Sequence, residues 1–405
     1  MKLDYTKLTS VCLILSLPLA WLVLTRDMVV DPIQTVRIAT FNAAMNREQP
    51  GAMLQELRSG SEQARKIAEI VQRNDVDILL LCELDRDDAE ESAKVFATEY
   101  LAIAQGGEKP IDFSHRFVAP SNTGLPSGLD LDGDGATNGP GDSFGFGRFP
   151  GHYAMAILSR HPIRKAFART FQTLPWNAMP SAMRPAGYWP DATWNALRLS
   201  SKSHWDVPIR VAGHDIHLLC SHPTPPAFDG ADDHNGCRNH DEIRFWVDYL
   251  TAERSAWIVD DAGVRGGLAA DAHFVVLGDL NCDPEDGDSK REALRSLLVH
   301  PRVLDPQPVS AGGKQASLDQ WGVNSAHRGK AECDTSDWDD QPAAQGVPGQ
   351  GGPGNLRVDY ALPSRSLHFA GSQVYWPTNR EPGSSLIGAT DHRLVWVDVG
   401  FAVAK

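Results

Sequence analysis

Val275-Val276-Leu277-Gly278-Asp279-Leu280-Asn281 joins a run of branched apolar residues to two polar side chains, two residues apart, that leave an extended chain on the same side. Residues 274–277 have the length and composition of a buried strand. Polar groups just past such a strand collect at one edge of a sheet, where sites in α/β proteins form.

The same arrangement recurs outward along the chain. Ala39-Thr40-Phe41-Asn42 ends the strand-like run 36–41 with an amide, and Asp77-Ile78-Leu79-Leu80-Leu81-Cys82-Glu83 ends the run 76–82 with a carboxylate. Ser221-His222-Pro223 follows the run 216–220 with an imidazole. Arg357-Val358-Asp359-Tyr360 and Thr390-Asp391-His392 come last, ahead of the run 395–399. Residues 154–158 read as a further strand. Helical spacing sets Ala64, Ile67, Ala68 and Val71 on one face of residues 61–72, and 241–250 and 291–298 are further helices. With helices and strands interspersed and no linker, residues 31–405 read as one α/β domain. The Gly- and Pro-rich stretches 120–151 and 341–354 are loops, of the length that tends to be functional or mobile.

A carboxylate after one strand is most often a turn or cap residue. Six such pieces in one order carry more weight, and together they resemble the endonuclease/exonuclease/phosphatase superfamily, which includes DNase I, exonuclease III and neutral sphingomyelinases. The resemblance spans nearly all of 36–399. It implies a four-layer α/β sandwich, two packed mixed β-sheets with helices outside, that cleaves P–O bonds with Mg²⁺, or with Mn²⁺ or Ca²⁺ in its place. Glu83 is then the principal metal carboxylate, supported by Asn42, with Asp391 a further metal or water ligand. Asp279 and Asn281 orient the attacking water and the phosphate, His392 is the catalytic imidazole and Asp359 its partner. His222 matches the histidine of DNase I and the sphingomyelinases, but the glutamate that supports it in DNase I has no counterpart in this reading.

The chemistry asks for these residue types independently. A phosphodiester is anionic and repels hydroxide, so its hydrolysis needs charge neutralisation and in-line positioning. Hard cations with oxygen ligands supply the first. A carboxylate beside an imidazole fixes its tautomer and raises its pKa.

Outside these motifs, Asp130-Leu131-Asp132-Gly133-Asp134 has the alternating oxygens of a calcium loop, but Gly141 stands where the closing glutamate belongs. Asp130, Asp132 and Asp134 therefore read equally as a separate structural Ca²⁺ site or a solvated turn. The insertion 223–240 reads as a loop at the substrate rim, with Arg238, His240 and Arg244 suited to a second phosphate or a carboxylate, or else to ordinary capping. Lys202, His204 and Trp205 form a second candidate rim. Phe144, Phe146 and Phe149 are candidate apolar tips for a lipid substrate.

Acidic residues outnumber basic ones by 52 to 38, for a formal charge of -14, which argues against tight non-specific binding to nucleic acid. Lys2 and Lys7 precede the apolar run 11–24, about 21 Å of helix and short of the roughly 30 Å hydrocarbon core. Residues 1–30 thus read as a signal peptide or an uncleaved membrane anchor, and the protein as secreted or periplasmic. In an oxidising compartment Cys237 and Cys333, both in polar stretches, are a candidate pair.

The function expected is a metal-dependent phosphodiesterase using a metal-activated water, acting on nucleic acid, a phospholipid or a small phosphate ester, with no obligate protein partner. A phosphomonoesterase for a small metabolite is the alternative. A non-catalytic binding protein on the same fold is more distant, since every motif residue is present.

Overall fold

The computed structural model describes residues 34–87, 89–338 and 352–401. Residues 1–30, with the expected signal or anchor, and most of the loop 341–354 lie outside them.

The strands in chain order are β1 (Gln34–Met45), β2 (Ile78–Leu84), β3 (His115–Phe117), β4 (Met155–Ser159), β5 (Arg169–Thr170), β6 (Trp205–Val211), β7 (His214–Cys220), β8 (His273–Asp279), β9 (Ser336–Asp337), β10 (Asn355–Leu356), β11 (Asp359–Pro363), β12 (His368–Val374) and β13 (Val395–Phe401). Among the described residues they form a six-stranded sheet, β12-β13-β1-β2-β4-β3, and a five-stranded sheet, β11-β8-β7-β6-β5, with β9 and β10 a separate ribbon. Both sheets are mixed: β1 runs parallel to β2 and β7 to β8, while β13, β4, β6 and β11 are antiparallel to their neighbours.

Three apolar layers separate four layers of structure. Val36, Ile38, Ile78 and Leu80 of the first sheet meet Val207, Leu218, Val275 and Leu277 of the second in the central layer. Alternation along each strand sends the intervening residues outward. Ala39, Phe41, Leu79 and Leu81 thus pack on the helix Glu62–Arg73. Phe274, Val276 and Leu362 pack on the helices His234–Leu250 and Glu292–Leu298. The architecture is the expected α/β sandwich.

Local chemistry explains the helix limits. Ser61 caps the helix Glu62–Arg73 by accepting the Ala64 N–H at 3.2 Å, and Ala64, Ile67, Ala68 and Val71 are buried as their spacing predicts. The helix expected from 241 instead starts at His234, so residues 234–240 of the supposed rim loop are helical. Asp232 accepts the His234 N–H and Asp229 the Asn235 N–H, satisfying donors that a helix start leaves open. Cys237 consequently packs in the outer core, and both it and Cys333 are free thiols rather than a pair.

The glycine of the opening motif is a steric requirement. Gly278 has φ +150°, and a Cβ there would lie 1.9 Å from the Ser221 carbonyl oxygen on the chain leaving the adjacent β7. Gly278→Ala is expected to cost about 3 kcal/mol, a drop of roughly 4 °C in Tm by calorimetry. An unchanged Tm would show that β7 and β8 can separate there freely.

Candidate active site

Alternation that builds the central layer also delivers polar groups to its edge. Asn42 continues the inward face of Val36 and Ile38, His222 that of Leu218 and Cys220, Asp279 that of Val275 and Leu277, and Asp359 that of Ala361. The ends of β1, β2, β7 and β8 and the start of β11 therefore share one rim.

Glu83 reaches it differently. Leu79 and Leu81 face the outer helices, and strict alternation would send Glu83 after them. Its φ of +59° breaks the alternation and turns the carboxylate toward Asn42, after which Leu84 returns to the outer layer. Left-handed backbone costs a non-glycine residue roughly 1–2 kcal/mol, which marks a position held for something other than stability.

Asn42 ties the two sheets together, its Nδ2 donating to Glu83 Oε1 at 3.1 Å and Asp279 Oδ2 at 3.0 Å. Asn46 donates to the other Glu83 oxygen at 2.9 Å. Asp279 Oδ2 also lies 3.5 Å from His222 Nε2 and 3.6 Å from His392 Nε2, making it the hub of the cluster. On the far side of its ring, His392 donates from Nδ1 to Asp359 Oδ2 at 2.9 Å. Asp279, Asp359 and His392 bring ligand atoms within 4.8 Å of one another, close enough to hold a metal ion.

Burial and charge set the protonation states. Burial pushes Glu83 up, and lifts Asp279 to about 6 against the opposing pull of His392. Burial would lower His392, but the carboxylates of Asp359 and Asp279 outweigh it and hold the imidazole at about 10. His222 goes the other way: burial, helped by Lys202 and His392, keeps it well below its ordinary value. One imidazole is thus a cation and its neighbour neutral. No partner reaches His222 Nδ1 among the described residues, so the missing glutamate stays missing.

Other expected residues sit elsewhere. Asn281 leaves β8 with φ +50°, ending the alternation that was to place it beside Asp279. Its backbone N–H donates to Asp279 Oδ1 at 2.9 Å, and its side chain donates to the Pro223 carbonyl at 3.1 Å. Asp391 is exposed and accepts from Trp338 Nε1 at 2.9 Å, outside the Asp279–Asp359–His392 cluster. Arg238 is committed to the carbonyls of Leu199, Arg198 and Phe144, and Arg244 to those of Pro180 and Ser181. His240 is buried against Asp241 at 2.9 Å. These three act as struts because the helix carries them inward, where backbone oxygens and a carboxylate outcompete solvent. Asp130, Asp132 and Asp134 do converge within 4.8 Å, but backbone N–H groups of their own loop already bond each carboxylate. Phe149 is buried and Phe144 lies under Arg198, leaving Phe146 as the exposed tip.

Lys202, read as rim, lies deeper than expected. It is 7% exposed, its side chain makes no hydrogen bond or ion pair among the described residues, and burial pulls its pKa down against Glu242, Glu83 and Asp279. Glu242 organises its loop, accepting the Ser201 N–H and Oγ–H and the Thr224 N–H. Asn46, Glu242 and Trp338, whose ring meets His392 edge-on at 5.4 Å, have no sequence signal, since none follows a strand in a motif.

His204 props the same loop as a neutral ring, accepting from Ser200 and donating to the Glu242 carbonyl. Burial outweighs the opposing pull of Glu242 and holds it at about 4, against 6.5 for a free imidazole. A depressed histidine contributes stability that is present above 6.5 and lost as pH falls toward 4, by about 3 kcal/mol. The stability gap between the wild type and His204→Gln, from urea midpoints, is expected to shrink over that window. A gap independent of pH would contradict the buried neutral ring.

Glu83, His222, Lys202 and Tyr153 form one end of a cavity of about 1020 Å³, whose other walls come from residues 123–146, 188–197 and 224–238.

Residues 39–392 match the model of the Endonuclease/Exonuclease/phosphatase family. No curated protein matches the chain. Among solved structures, an endonuclease/exonuclease/phosphatase from Beutenbergia cavernae DSM 12333 is 17% identical over 91% of this chain and 72% of that one, with a TM-score of 0.49. A family protein from Leptotrichia buccalis C-1013-b is 14% identical, covering 90% and 100%, with a TM-score of 0.46. Sphingomyelinase C from Streptomyces griseocarneus is 13% identical, covering 90% and 99%, with a TM-score of 0.44. With the match running from the first strand to His392, the chain belongs to the endonuclease/exonuclease/phosphatase family.

Proposed function

We propose that this protein is a divalent-metal-dependent phosphodiesterase. The observation that carries the reading is the Asn42-bridged Glu83–Asp279 pair set against the Asp359–His392 pair at the end of a large cavity.

The residues fit a hard cation. Glu83, Asp279 and Asp359 bring three carboxylates into a buried rim, Glu83 has no ion pair among the described residues, and Asp359 Oδ1 has no hydrogen-bond partner among them. Oxygen donors of this kind suit Mg²⁺, with Mn²⁺ or Ca²⁺ as substitutes. Glu83 would be its main holder, supported by Asn42. When bound, such an ion neutralises charge on the phosphoryl oxygens.

The chain's own groups do the rest. Asp279 at about 6 is matched to accept a proton from the attacking water near neutral pH. His392, held as a cation and oriented by Asp359, donates from Nε2 to a phosphoryl oxygen as its charge grows. Neutral His222 donates a hydrogen bond, not a proton, toward the leaving oxygen, and the Lys202 ammonium adds positive charge beside Glu83.

A hydrolysis panel with Mg²⁺, Mn²⁺ and Ca²⁺ tests this on bis(p-nitrophenyl) phosphate, p-nitrophenyl phosphate, DNA and sphingomyelin. Metal-dependent cleavage of a diester supports the reading, preference for the monoester replaces it with a phosphomonoesterase, and inactivity on all four refutes it. For localisation, Lys2, Lys7 and the apolar run 11–24 support export. The mass of the mature protein distinguishes cleaved signal from retained anchor.

A further inference from the structure

The cavity is electrically lopsided. At one end Lys202, buried and unpaired among the described residues, stands with Glu83 and His222. Another part of its lining is aromatic and acidic: Tyr188 stacks on His234 at 4.3 Å with 8° between the planes, Trp189 meets Tyr188 edge-on at 4.7 Å, and Phe228, 94% exposed, lines the same cavity. Asp132, Asp229 and Asp232 line the same wall. Their charge converges on one spot. The Tyr188 hydroxyl is raised first by burial and then by Asp232, Asp132, Asp229 and Asp130 together. His234, within 2.6 Å of Asp232 and 3.9 Å of Asp229, offsets at most one of these charges. Arg238 lines the cavity too, but its guanidinium is spent on three carbonyls.

Aromatic faces backed by carboxylates bind organic cations, because ring quadrupole and fixed charge both attract an ammonium while the apolar surface strips its weak hydration. The same wall repels anions. A polynucleotide lying along the cavity would place its next phosphate among Asp132, Asp229 and Asp232, whereas nucleic-acid grooves carry Lys and Arg. We infer that the substrate is a zwitterionic phosphodiester, with its phosphate at the Lys202 and Glu83 end and an alkylammonium group against Tyr188, Trp189 and Phe228. This rests on the phosphodiesterase reading and narrows it to a substrate class.

The test uses the full chain with Mg²⁺ and two activated diesters of the same shape, p-nitrophenyl phosphorylcholine and its uncharged isostere p-nitrophenyl 3,3-dimethylbutyl phosphate. The expected kcat/KM is about tenfold higher for the cationic ester. The ratio is expected to fall to about one in Tyr188→Ala and in Asp132→Asn, with circular dichroism confirming that both fold. An isostere cleaved as fast as the choline ester, or DNA cleaved faster than either, overturns the inference. Calorimetric binding of phosphocholine and of 3,3-dimethylbutyl phosphate separates the two readings. Stronger phosphocholine binding without any hydrolysis sustains the cation wall and rejects the enzyme. Equal binding together with hydrolysis of bis(p-nitrophenyl) phosphate does the reverse.

Discussion

Asp279→Asn is expected to lower diester turnover roughly 10³-fold while the protein stays folded. The carboxylate is the hub of the rim, reaching Asn42 at 3.0 Å, the Asn281 N–H at 2.9 Å, and the two imidazoles at 3.5 and 3.6 Å. An amide of the same shape fills the space, but it cannot take a proton from water. It also removes a negative charge that helps hold His392 at about 10, so the imidazolium that meets the phosphoryl oxygen weakens at the same time. Two functions fail through one substitution, and kcat should fall far more than KM rises. Turnover of bis(p-nitrophenyl) phosphate within about tenfold of the wild type would remove Asp279 from the chemistry.

Glu83→Gln is expected to abolish metal-dependent turnover to a similar extent and to remove the protein's response to metal. Three carboxylates buried on one rim repel each other and are poorly solvated, which is why burial pushes Glu83 and Asp279 upward. A cation relieves that repulsion, so saturating Mg²⁺ should stabilise the wild type by about 3 kcal/mol at roughly a hundredfold excess over Kd. The glutamine side chain has the length to keep the Asn42 contact through its oxygen and to meet Asn46 once that amide turns its oxygen inward, but it carries no charge. Without metal the variant should therefore melt no lower than the wild type, and Mg²⁺ should leave its Tm nearly unchanged. Equal upward shifts of both proteins in differential scanning calorimetry would place the metal elsewhere, with the Asp130 loop the first place to look.

Much of this was legible in the residues because strands impose a period of two. Where a polar residue continues an inward face, as His222, Asp279 and Asp359 do, its direction follows from the strand it extends. Order along the chain supplied the remainder, since the motif series implies the sandwich that the sheets display. The reading weakened where the period breaks. Glu83 and Asn281 both take left-handed backbone, so one arrives at the rim against its strand's alternation and the other turns to the Pro223 carbonyl. The rim arginines were misplaced for a related reason. Residues 223–240 look like a hydrophilic loop, yet Asp229 and Asp232 start a helix early and carry Arg238 and His240 into its packed side.

By itself, then, the sequence determined the α/β class, six of the strands, the family and the polar residues at strand ends, because each depends on local period or on order along the chain. Only the tertiary structure decided which of those residues meet. It showed Asn42 bridging the two sheets, Asp279 between two histidines of unlike charge, and Lys202 buried rather than on the rim. It also assembled the acidic aromatic wall from Asp132, Tyr188, Phe228 and Asp232, residues of three loops with no shared motif. Burial and the summed field of distant charges set those properties, and neither can be read along a single strand.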